Sequence, residues 1–387
     1  MNKSIFAGTL AVLLTFFTGT FGVQATPAAS VPSTVSVHDQ RNLASHGFFF
    51  VGGKYVGEQG KQIMRGQMYV EVLVPKKITQ PYPLVLFHGA AQTSTNWMGT
   101  PDGRKGWADY FVEQGYLVYM VDQPARGKSA YHPKTDGELR NFPASSVEKL
   151  FTTTEGKWSQ ASKHTQWPGD GPNKGHIGDP VFDEFYATQV EYIGSMVETE
   201  KLVQEAGAAL LDKIGPAILL THSQAGTFGW LIADVRPDKV KGIVAIEPSG
   251  PPFVDAVLSI SNDKVRPWGI TDIPLTYDPP VKDPAELQIE EIKSDNPNFV
   301  SGWMQKAPAR QLPNLRGIPT VIVTAEASYH ALYDHWTAKY LEQAGVKNTY
   351  IRLDDYGIRG NGHLVMLEKN NLEVAQLLSD WMKINIK

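Results

Sequence analysis

A serine interrupts an apolar run near the middle of the chain, in the stretch ILLTHSQAG at residues 218–226. The run has the length of a buried strand, and the small residues Ala225 and Gly226 suit a sharp turn into a helix. Ser223 on such a turn would present its hydroxyl above the sheet edge, where it can attack a carbonyl carbon. Thr221 stands where these turns most often carry glycine. The stretch alone also fits an ordinary serine N-cap, so catalysis and capping both stay open.

An earlier apolar run ends in a His-Gly pair, in LVLFHGAAQTS at residues 84–94. Small residues after His88 allow the backbone to approach the serine closely. We predict that the N–H groups of Ala90 and Gln224 form an oxyanion hole, because paired backbone donors stabilise the charge that develops during acyl transfer. His88 itself is interpreted as a structural residue that fixes its own loop.

A histidine near the C-terminus lies in the glycine-rich stretch GIRGNGHLVMLEKNN at residues 357–371. An imidazole on such a loop can reach a nucleophile and act as general base and then general acid, so we predict this role for His363. His222 is excluded as the base because adjacent residues on a sharp turn diverge. His330 and His335 are predicted on the helix after the strand at 319–327, as structural or substrate-facing residues.

The serine turn, the His-Gly loop and the stretch GNGHLVMLE together resemble the α/β-hydrolase superfamily, from about residue 67 onward. Most members take the acid of their catalytic triad from a Gly-x-x-Asp turn after the seventh strand. The comparable segment VIVTAEASYH has Ala325 for the glycine and Ser328 for the aspartate. The chain is similar instead to a small group of secreted bacterial esterases whose acid is a glutamate after the sixth strand. The resemblance implies Glu247, in GIVAIEPSG, as that acid.

A glutamate that closes an apolar strand is costly unless its carboxylate is hydrogen-bonded, which also favours a functional role for Glu247. Glu326 is the alternative acid, if its turn is aimed differently. Either carboxylate can instead pair with an arginine, for which the candidates are Arg126, Arg352 and Arg359.

Short apolar runs alternate with amphipathic helical patterns along most of the chain. The runs are PLVLFHG (83–89), YLVYMVD (116–122), PAILLTHS (216–223), VKGIVAIEP (240–248), PTVIVTAEA (319–327) and NTYIRLDDYG (348–357). Continuous apolar strands separated by helices are typical of a parallel sheet covered on both faces. We therefore predict an α/β fold with a mostly parallel central sheet, the α/β-hydrolase fold.

Two antiparallel strands are predicted to open the domain, in HGFFFVGGKYV (46–56) and GQMYVEVLVP (66–75), with Gly52–Gly53 as the hairpin turn. Long irregular stretches at about 128–185 and 249–316 are predicted cap insertions over the C-terminal edge of the sheet, because connections within a compact domain are usually short.

The N-terminus has the order of a secretory signal. Lys3 precedes an apolar stretch from Ile5 to about Val23, and small residues around Ala25 follow. We predict a signal peptide over 1–25, a linker or N-terminal arm over 26–45 and the hydrolase domain over 46–387. An N-terminal membrane anchor is the alternative, but no stop-transfer charges follow the stretch. The protein is therefore expected to be exported, periplasmic or secreted, without a stable membrane anchor.

Composition narrows the class of protein further. The chain has 387 residues, 42% of them hydrophobic, and a formal net charge of −4 without like-charged blocks, so nucleic-acid binding is not expected. It has no cysteine, hence no disulfide and no cysteine metal site. The predicted chemistry requires neither a metal nor an organic cofactor. A monomer and a homodimer both stay open.

Together these features predict a serine hydrolase that cleaves carboxylic esters through an acyl-enzyme intermediate. Aromatic residues in and near the insertions are expected to shape an apolar pocket for small aryl or hydrophobic esters, and Trp97, Phe253 and Tyr329 are the predicted contacts. Lactone hydrolysis and C–C bond hydrolysis by the same triad are alternatives. A non-catalytic binding protein with the hydrolase fold is the alternative from another class.

Overall fold

The computed structural model describes residues 31–32, 35–154, 156–257 and 264–387. The predicted signal peptide and the first residues of the predicted linker lie outside the described residues. Residues 38–387 form one compact unit. Among the described residues, no helix has both the length and the apolar character needed to cross a bilayer.

Eight strands form the central sheet, and we number them along the chain. They are β1 Leu43–Val56, β2 Ile63–Pro75, β3 Leu84–Phe87, β4 Val118–Asp122, β5 Ala217–His222, β6 Val240–Ile246, β7 Thr320–Thr324 and β8 Thr349–Arg352. The order across the sheet is β1-β2-β4-β3-β5-β6-β7-β8. β1 pairs antiparallel with β2 and β2 with β4, whereas all other pairs are parallel. This confirms the predicted α/β-hydrolase fold.

Helices cover both faces of the sheet. They are α1 Thr95–Met98, α2 Trp107–Glu113, α3 Ala144–Val147, α4 Pro180–Ala187, α5 Met196–Ile214, α6 Ala225–Val235, α7 Asp334–Gln343 and α8 Asn371–Asn385. One hydrophobic core joins one face of the sheet to α5, α6 and α7, and the other joins the opposite face to α2 and α8. Strands β3, β5 and β7 are buried throughout, which is why their sequences are continuous apolar runs.

The predicted hairpin turn at Gly52–Gly53 is wrong. Both glycines lie inside β1, which continues to pair with β2 as far as Val56 opposite Ile63. Their φ values, 64° and 80°, are positive, a conformation that L residues rarely adopt, and they make the strand irregular at this point. The turn itself lies between β1 and β2, where the N–H of Lys61 donates to the carbonyl of Glu58.

The two predicted insertions emerge between sheet elements. The first, between β4 and α5, contains α3 and α4 and contributes Leu139–Arg140 to a short antiparallel ribbon with Tyr192–Ile193. The second, between β6 and β7, contains the ribbon of Ile289–Ile292 with Gly302–Gln305. The predicted site residues lie just beyond the carboxyl ends of parallel strands, an edge of the sheet where ligands bind in many α/β folds.

Candidate active site

Ser223 occupies a sharp turn between β5 and α6. Its φ is +56°, a left-handed conformation that costs free energy in a residue other than glycine. The N–H of Ser223 donates to the carbonyl of Ile246, and the N–H of Gly226 donates back to the carbonyl of Ser223. A Cβ at Gly226 would lie 2.3 Å from Cβ of Pro248, so only glycine fits there. The turn therefore has the strained backbone and small neighbour of a nucleophile elbow.

Thr221, which stands where glycine is commonest in such elbows, is fully buried in β5. The space for its side chain comes from Gly229 in α6, where a Cβ would lie 3.3 Å from Cγ2 of Thr221. The small residue that this crossing requires is therefore on the helix rather than on the strand. The departure from the usual pattern leaves the elbow intact.

Glu247 follows β6 with a φ of +44° and is fully buried. The N–H of Ala325 donates to its Oε1 at 2.8 Å, and the hydroxyl of Ser328 donates to its Oε2 at 2.7 Å. These are the two residues that the resemblance matched to the glycine and the aspartate of the usual acid turn. The turn after β7 thus supplies donors to a carboxylate that comes from the neighbouring strand.

Nδ1 of His363 lies 2.5 Å from Oε2 of Glu247, within a fully buried contact. Because Glu247 engages Nδ1, Nε2 is the nitrogen left to face a nucleophile. Ser223 and His363 both line a cavity of about 30 Å³. No hydrogen bond joins the Ser223 hydroxyl to the His363 ring, both of which the structure describes. Catalytic hydrogen bonds are often long in the absence of substrate and shorten when it binds.

Burial controls the protonation of this pair. It lowers the pKa of His363 well below 6.5, and the neighbouring His222 and His330 lower it further. Burial also acts to raise the pKa of Glu247, while the hydrogen bonds from Ala325 and Ser328 oppose that shift and favour the ionised carboxylate. The imidazole is therefore neutral, which a general base requires.

Aromatic rings fix the orientation of His363. The ring of His330 stacks on it at 4.8 Å between centroids and 9° between planes. Phe151, from the first insertion, stacks at 5.2 Å and 21°. His222 packs at 4.5 Å, and its Nε2 lies 3.0 Å from the carbonyl oxygen of His363. The Nε2 atom of His222 thus contacts the loop that carries the predicted base.

The predicted oxyanion donors are available at the same place. Gly89 approaches the elbow so closely that a Cβ there would lie 3.1 Å from Cβ of Ser223. Gln224 is the N-cap residue of α6, so its N–H precedes the first helical hydrogen bonds. Within the described chain, the N–H groups of Ala90 and Gln224 donate to no other residue. Two unpaired backbone donors beside a serine are what an oxyanion hole requires.

Glu326, the alternative acid, lies elsewhere. Its Oε1 is 2.9 Å from Nζ of Lys163 and 3.3 Å from Nη1 of Arg359, and its Oε2 accepts from the N–H of Gly360. Burial acts to raise its pKa, but the bond to Lys163 and the other donors outweigh this and lower it below 4.5. This carboxylate is paired with cations. Glu326 and His363 are both described by the structure, and no hydrogen bond joins them.

The other histidines have separate partners. Nδ1 of His88 lies 2.9 Å from the carbonyl oxygen of Gly89, in keeping with a residue that fixes its own loop. His330 lies in a 3₁₀ turn, Tyr329–Leu332, ahead of α7 rather than on that helix. His335 does lie on α7, where its ring packs 4.8 Å from that of Phe299.

His330 belongs to a second buried polar chain beside the first. Its Nδ1 lies 2.9 Å from Oδ1 of Asp334, and its Nε2 lies 3.1 Å from the hydroxyl of Tyr333. Glu247, His330 and His363 bring their oxygen and nitrogen atoms within 4.8 Å of one another, which is close enough to hold a metal ion. Both ring nitrogens of His330 are already hydrogen-bonded, however, so neither is free to ligate a metal ion.

A cavity of about 170 Å³ opens next to Ser223. Both insertions and the turn after β7 line it, through Phe142, Leu150, Phe151, Ser249, Gly250, Asp255, Arg266, Tyr329 and Tyr333 among others. Of the three predicted substrate contacts, Tyr329 is at this cavity. Trp97 is instead buried in the core, where its ring stacks on Trp107, and Phe253 packs against Tyr340. Those two predictions are corrected, because both rings are enclosed by other apolar side chains.

Sequence reasoning missed several residues at the site. Phe151 and Tyr333 lie in segments without regular strand or helix periodicity, so no pattern identified them as lining residues.

Arg126 was considered only as a partner for a carboxylate. The structure places its guanidinium against the carbonyl of Gly89 at 3.0 Å and the side-chain oxygen of Gln224 at 3.3 Å. The available sequence signal was an arginine followed by glycine, in PARG at residues 124–127, just after an apolar strand.

Comparison with known proteins agrees with this architecture. Residues 82–273 match the family described as alpha/beta hydrolase fold. A probable secreted lipase, phiG, from a fungal species (strain ATCC 74256) is 46% identical over 338 residues, or 87% of this chain and 89% of that protein. A solved structure described as a novel bacterial esterase has a TM-score of 0.59 at 22% identity, and the match covers 92% of this chain and 99% of that chain. The chain belongs to the α/β-hydrolase family.

Proposed function

We propose that the protein is a carboxylic ester hydrolase that works through an acyl-enzyme on Ser223, with His363 as general base and Glu247 as the acid that orients it. The observation that carries this proposal is the 2.5 Å contact between His363 and Glu247, next to a serine held in a left-handed elbow. The names of its relatives, a secreted lipase and an esterase, support an ester as the substrate.

In the first half-reaction, the hydroxyl of Ser223 attacks the ester carbonyl and its proton passes to Nε2 of His363. Glu247 accepts the hydrogen bond from Nδ1–H and stabilises the imidazolium that forms. The N–H groups of Ala90 and Gln224 donate to the oxyanion of the tetrahedral intermediate. The intermediate collapses, and the alcohol leaves with the proton from His363.

In the second half-reaction, water attacks the acyl group on Ser223, and His363 takes the proton of that water. A second tetrahedral intermediate forms in the same oxyanion hole and releases the carboxylic acid. The proton returns from His363 to Ser223, which regenerates the free enzyme.

The cavity favours small ester substrates. Its volume of about 170 Å³ is below the range of roughly 300–1,000 Å³ that is usual for drug-sized ligands. Aromatic rings such as Phe142, Phe151 and Tyr329 line it, so short acyl chains on aryl or hydrophobic alcohols fit best. We expect 4-nitrophenyl acetate and butyrate to be better substrates than the palmitate ester.

Export is part of the proposal. The charge, apolar stretch and small residues of 1–25 have the order of a signal peptide, and the fungal relative is named as secreted. Mass spectrometry of protein recovered from the culture medium or periplasm would test it, since processing should leave an N-terminus near residue 26.

The test of the activity is labelling with a fluorophosphonate probe, followed by peptide mapping. A single adduct on Ser223, with turnover of 4-nitrophenyl butyrate by the same preparation, supports the serine hydrolase. A protein that is neither labelled nor active would be a binding protein with the hydrolase fold. Product analysis on a panel with lactones and β-diketones separates ester hydrolysis from the other reactions of such a triad.

A further inference from the structure

We infer that Arg126 is a positioning residue for the oxyanion hole. It fixes the segments that carry the two donors and polarises the amide group of one of them. The inference rests on the proposed function, because it assigns a role within the same reaction. It concerns a residue that lies outside the triad and does not line the cavity next to Ser223.

Arg126 contacts both segments that carry the oxyanion donors. Its side chain is buried, with 3% of its surface exposed. Nη1 donates to the carbonyl of Gly89 at 3.0 Å, and Nη1 and Nη2 each lie 3.3 Å from Oε1 of Gln224. One guanidinium therefore contacts both the loop after β3 and the N-cap residue of α6. The distance between these two segments sets the width of the oxyanion hole.

The bond to Gly89 acts on Ala90 through a single peptide unit. In a trans peptide the carbonyl of Gly89 and the N–H of Ala90 point in opposite directions from one plane. A cation at the carbonyl oxygen therefore fixes the direction of the N–H. It also withdraws electron density from the amide, which strengthens that N–H as a donor, as in other chains of hydrogen bonds.

The charge of Arg126 has no carboxylate partner at ion-pair distance among the described residues. Burial lowers the pKa of Arg126 to about 9, and Tyr192 and Asp122 oppose the shift. The carboxylate of Asp122 is itself engaged, by the N–H groups of Ser94 and Lys128 at 2.7 and 2.8 Å. A buried cation without a carboxylate at ion-pair distance is costly, even with its guanidinium 5.3 Å from the centre of the Tyr192 ring. Negative charge that develops on the substrate oxygen in the transition state would offset part of that cost.

The surrounding loop supports the same role. The side-chain amide of Gln123 donates to the carbonyl of His88 at 2.7 Å, so Gln123 and Arg126, both in the segment after β4, bind consecutive carbonyls of the His-Gly loop. Among the described residues, the hydrogen bonds of the Arg126 guanidinium go to Gly89 and Gln224.

The experiment compares Arg126→Gln and Arg126→Lys with wild type on 4-nitrophenyl butyrate and measures the inhibition constant of phenylboronic acid, which forms a tetrahedral adduct on serine. For Arg126→Gln we expect kcat to fall about 10- to 100-fold, less than for direct loss of an oxyanion donor. KM should stay within about twofold, because the lost stabilisation is specific to the transition state. The inhibition constant of phenylboronic acid should rise in parallel with the loss of kcat, and Arg126→Lys, which keeps the charge, should lose less.

A matched control is Arg65→Lys, which alters a part-buried arginine bound to Asp136 and Glu198 and should leave kcat unchanged. Unchanged kcat in Arg126→Gln overturns the inference, as does a fall in kcat without weaker binding of the boronic acid. If Arg126→Gln does not fold, Arg126→Lys decides, since it cannot reach both acceptors and unchanged kcat again overturns the inference. Failure of the proposed function differs, because wild type itself would then hydrolyse no ester.

Discussion

Nδ1 of His363 lies 2.5 Å from Oε2 of Glu247, a residue 116 positions earlier that follows β6 in a left-handed conformation. The turn after the neighbouring strand β7, where the resemblance would place an aspartate, provides Ala325 and Ser328 as donors to that carboxylate. A carboxylate from the end of β6 therefore contacts the imidazole and is held there by donors from the turn after β7. A buried carboxylate with three donors can carry the negative charge that balances an imidazolium.

Replacing Ser223 by alanine is expected to remove ester hydrolysis. Loss of the nucleophile should lower kcat on an aryl ester by about 10⁴-fold or more, because the covalent route is closed. Steady-state kinetics and probe labelling measure the effect. Ser379→Ala, which alters a buried serine of α8 outside the cavity, is the control and should keep full activity. Wild-type turnover by a pure Ser223→Ala preparation would refute the assignment.

The pH profile should reflect the low pKa of His363. The ring accepts a proton from Ser223 only while it is neutral, and it becomes protonated as the pH falls through its pKa in the folded enzyme. Because burial lowers that pKa well below 6.5, kcat/KM should remain on its plateau down to pH 6.5 and decline only at lower pH. An acid midpoint at or above 6.5 in the profile of kcat/KM would contradict this account.

Ser328 is expected to contribute to catalysis through Glu247. Ser328→Ala removes the 2.7 Å hydrogen bond to Oε2, whose loss should cost about 1–2 kcal/mol. If this cost falls mainly on the transition state, kcat decreases about 10-fold. Ser328→Thr keeps the hydroxyl and should retain most of the activity. Equal kcat values for the alanine variant and wild type would show that the donor is dispensable.

Thr221 offers a prediction about stability. Its Oγ1 is buried and has no hydrogen-bond partner among the described residues, so Thr221→Val should stabilise the fold by about 1 kcal/mol. Thr324→Val is the contrasting change, since it removes the 2.7 Å bond to Asp334 and should lower the melting temperature. Thermal unfolding of both variants distinguishes the two cases, and a lower melting temperature for Thr221→Val would show that its hydroxyl is satisfied.

The sequence predicts those features of the fold that depend on local pattern. Apolar runs of strand length, each followed by an amphipathic helix, are sufficient for the α/β architecture. The resemblance, together with the physical fact that a carboxylate closing an apolar strand needs donors, predicts Glu247 as the acid, and the structure shows those donors. Each of these two clues is a single residue: serine at position 328, where an aspartate is usual in the superfamily, and glutamate at position 247.

Other features depend on contacts between distant segments. Gly52 and Gly53 suggest a turn locally, but twelve residues of β2 pair with β1 and keep both glycines within the strand. Whether Trp97 faces a pocket or the core depends on Trp107 and its neighbours, which no periodicity predicts. The contacts of Arg126 join the loops after β3, β4 and β5, so they appear only once the sheet order is known.

The most direct test of the account is the turnover number of Glu247→Gln and Glu326→Gln, measured side by side on 4-nitrophenyl butyrate. We predict that Glu247→Gln lowers kcat about 10²- to 10⁴-fold, because an amide no longer stabilises the imidazolium or fixes its tautomer. Glu326→Gln should stay within about threefold of wild type, since its carboxylate binds Lys163 and Arg359 instead. A large loss in Glu326→Gln with near-normal turnover in Glu247→Gln would contradict the triad.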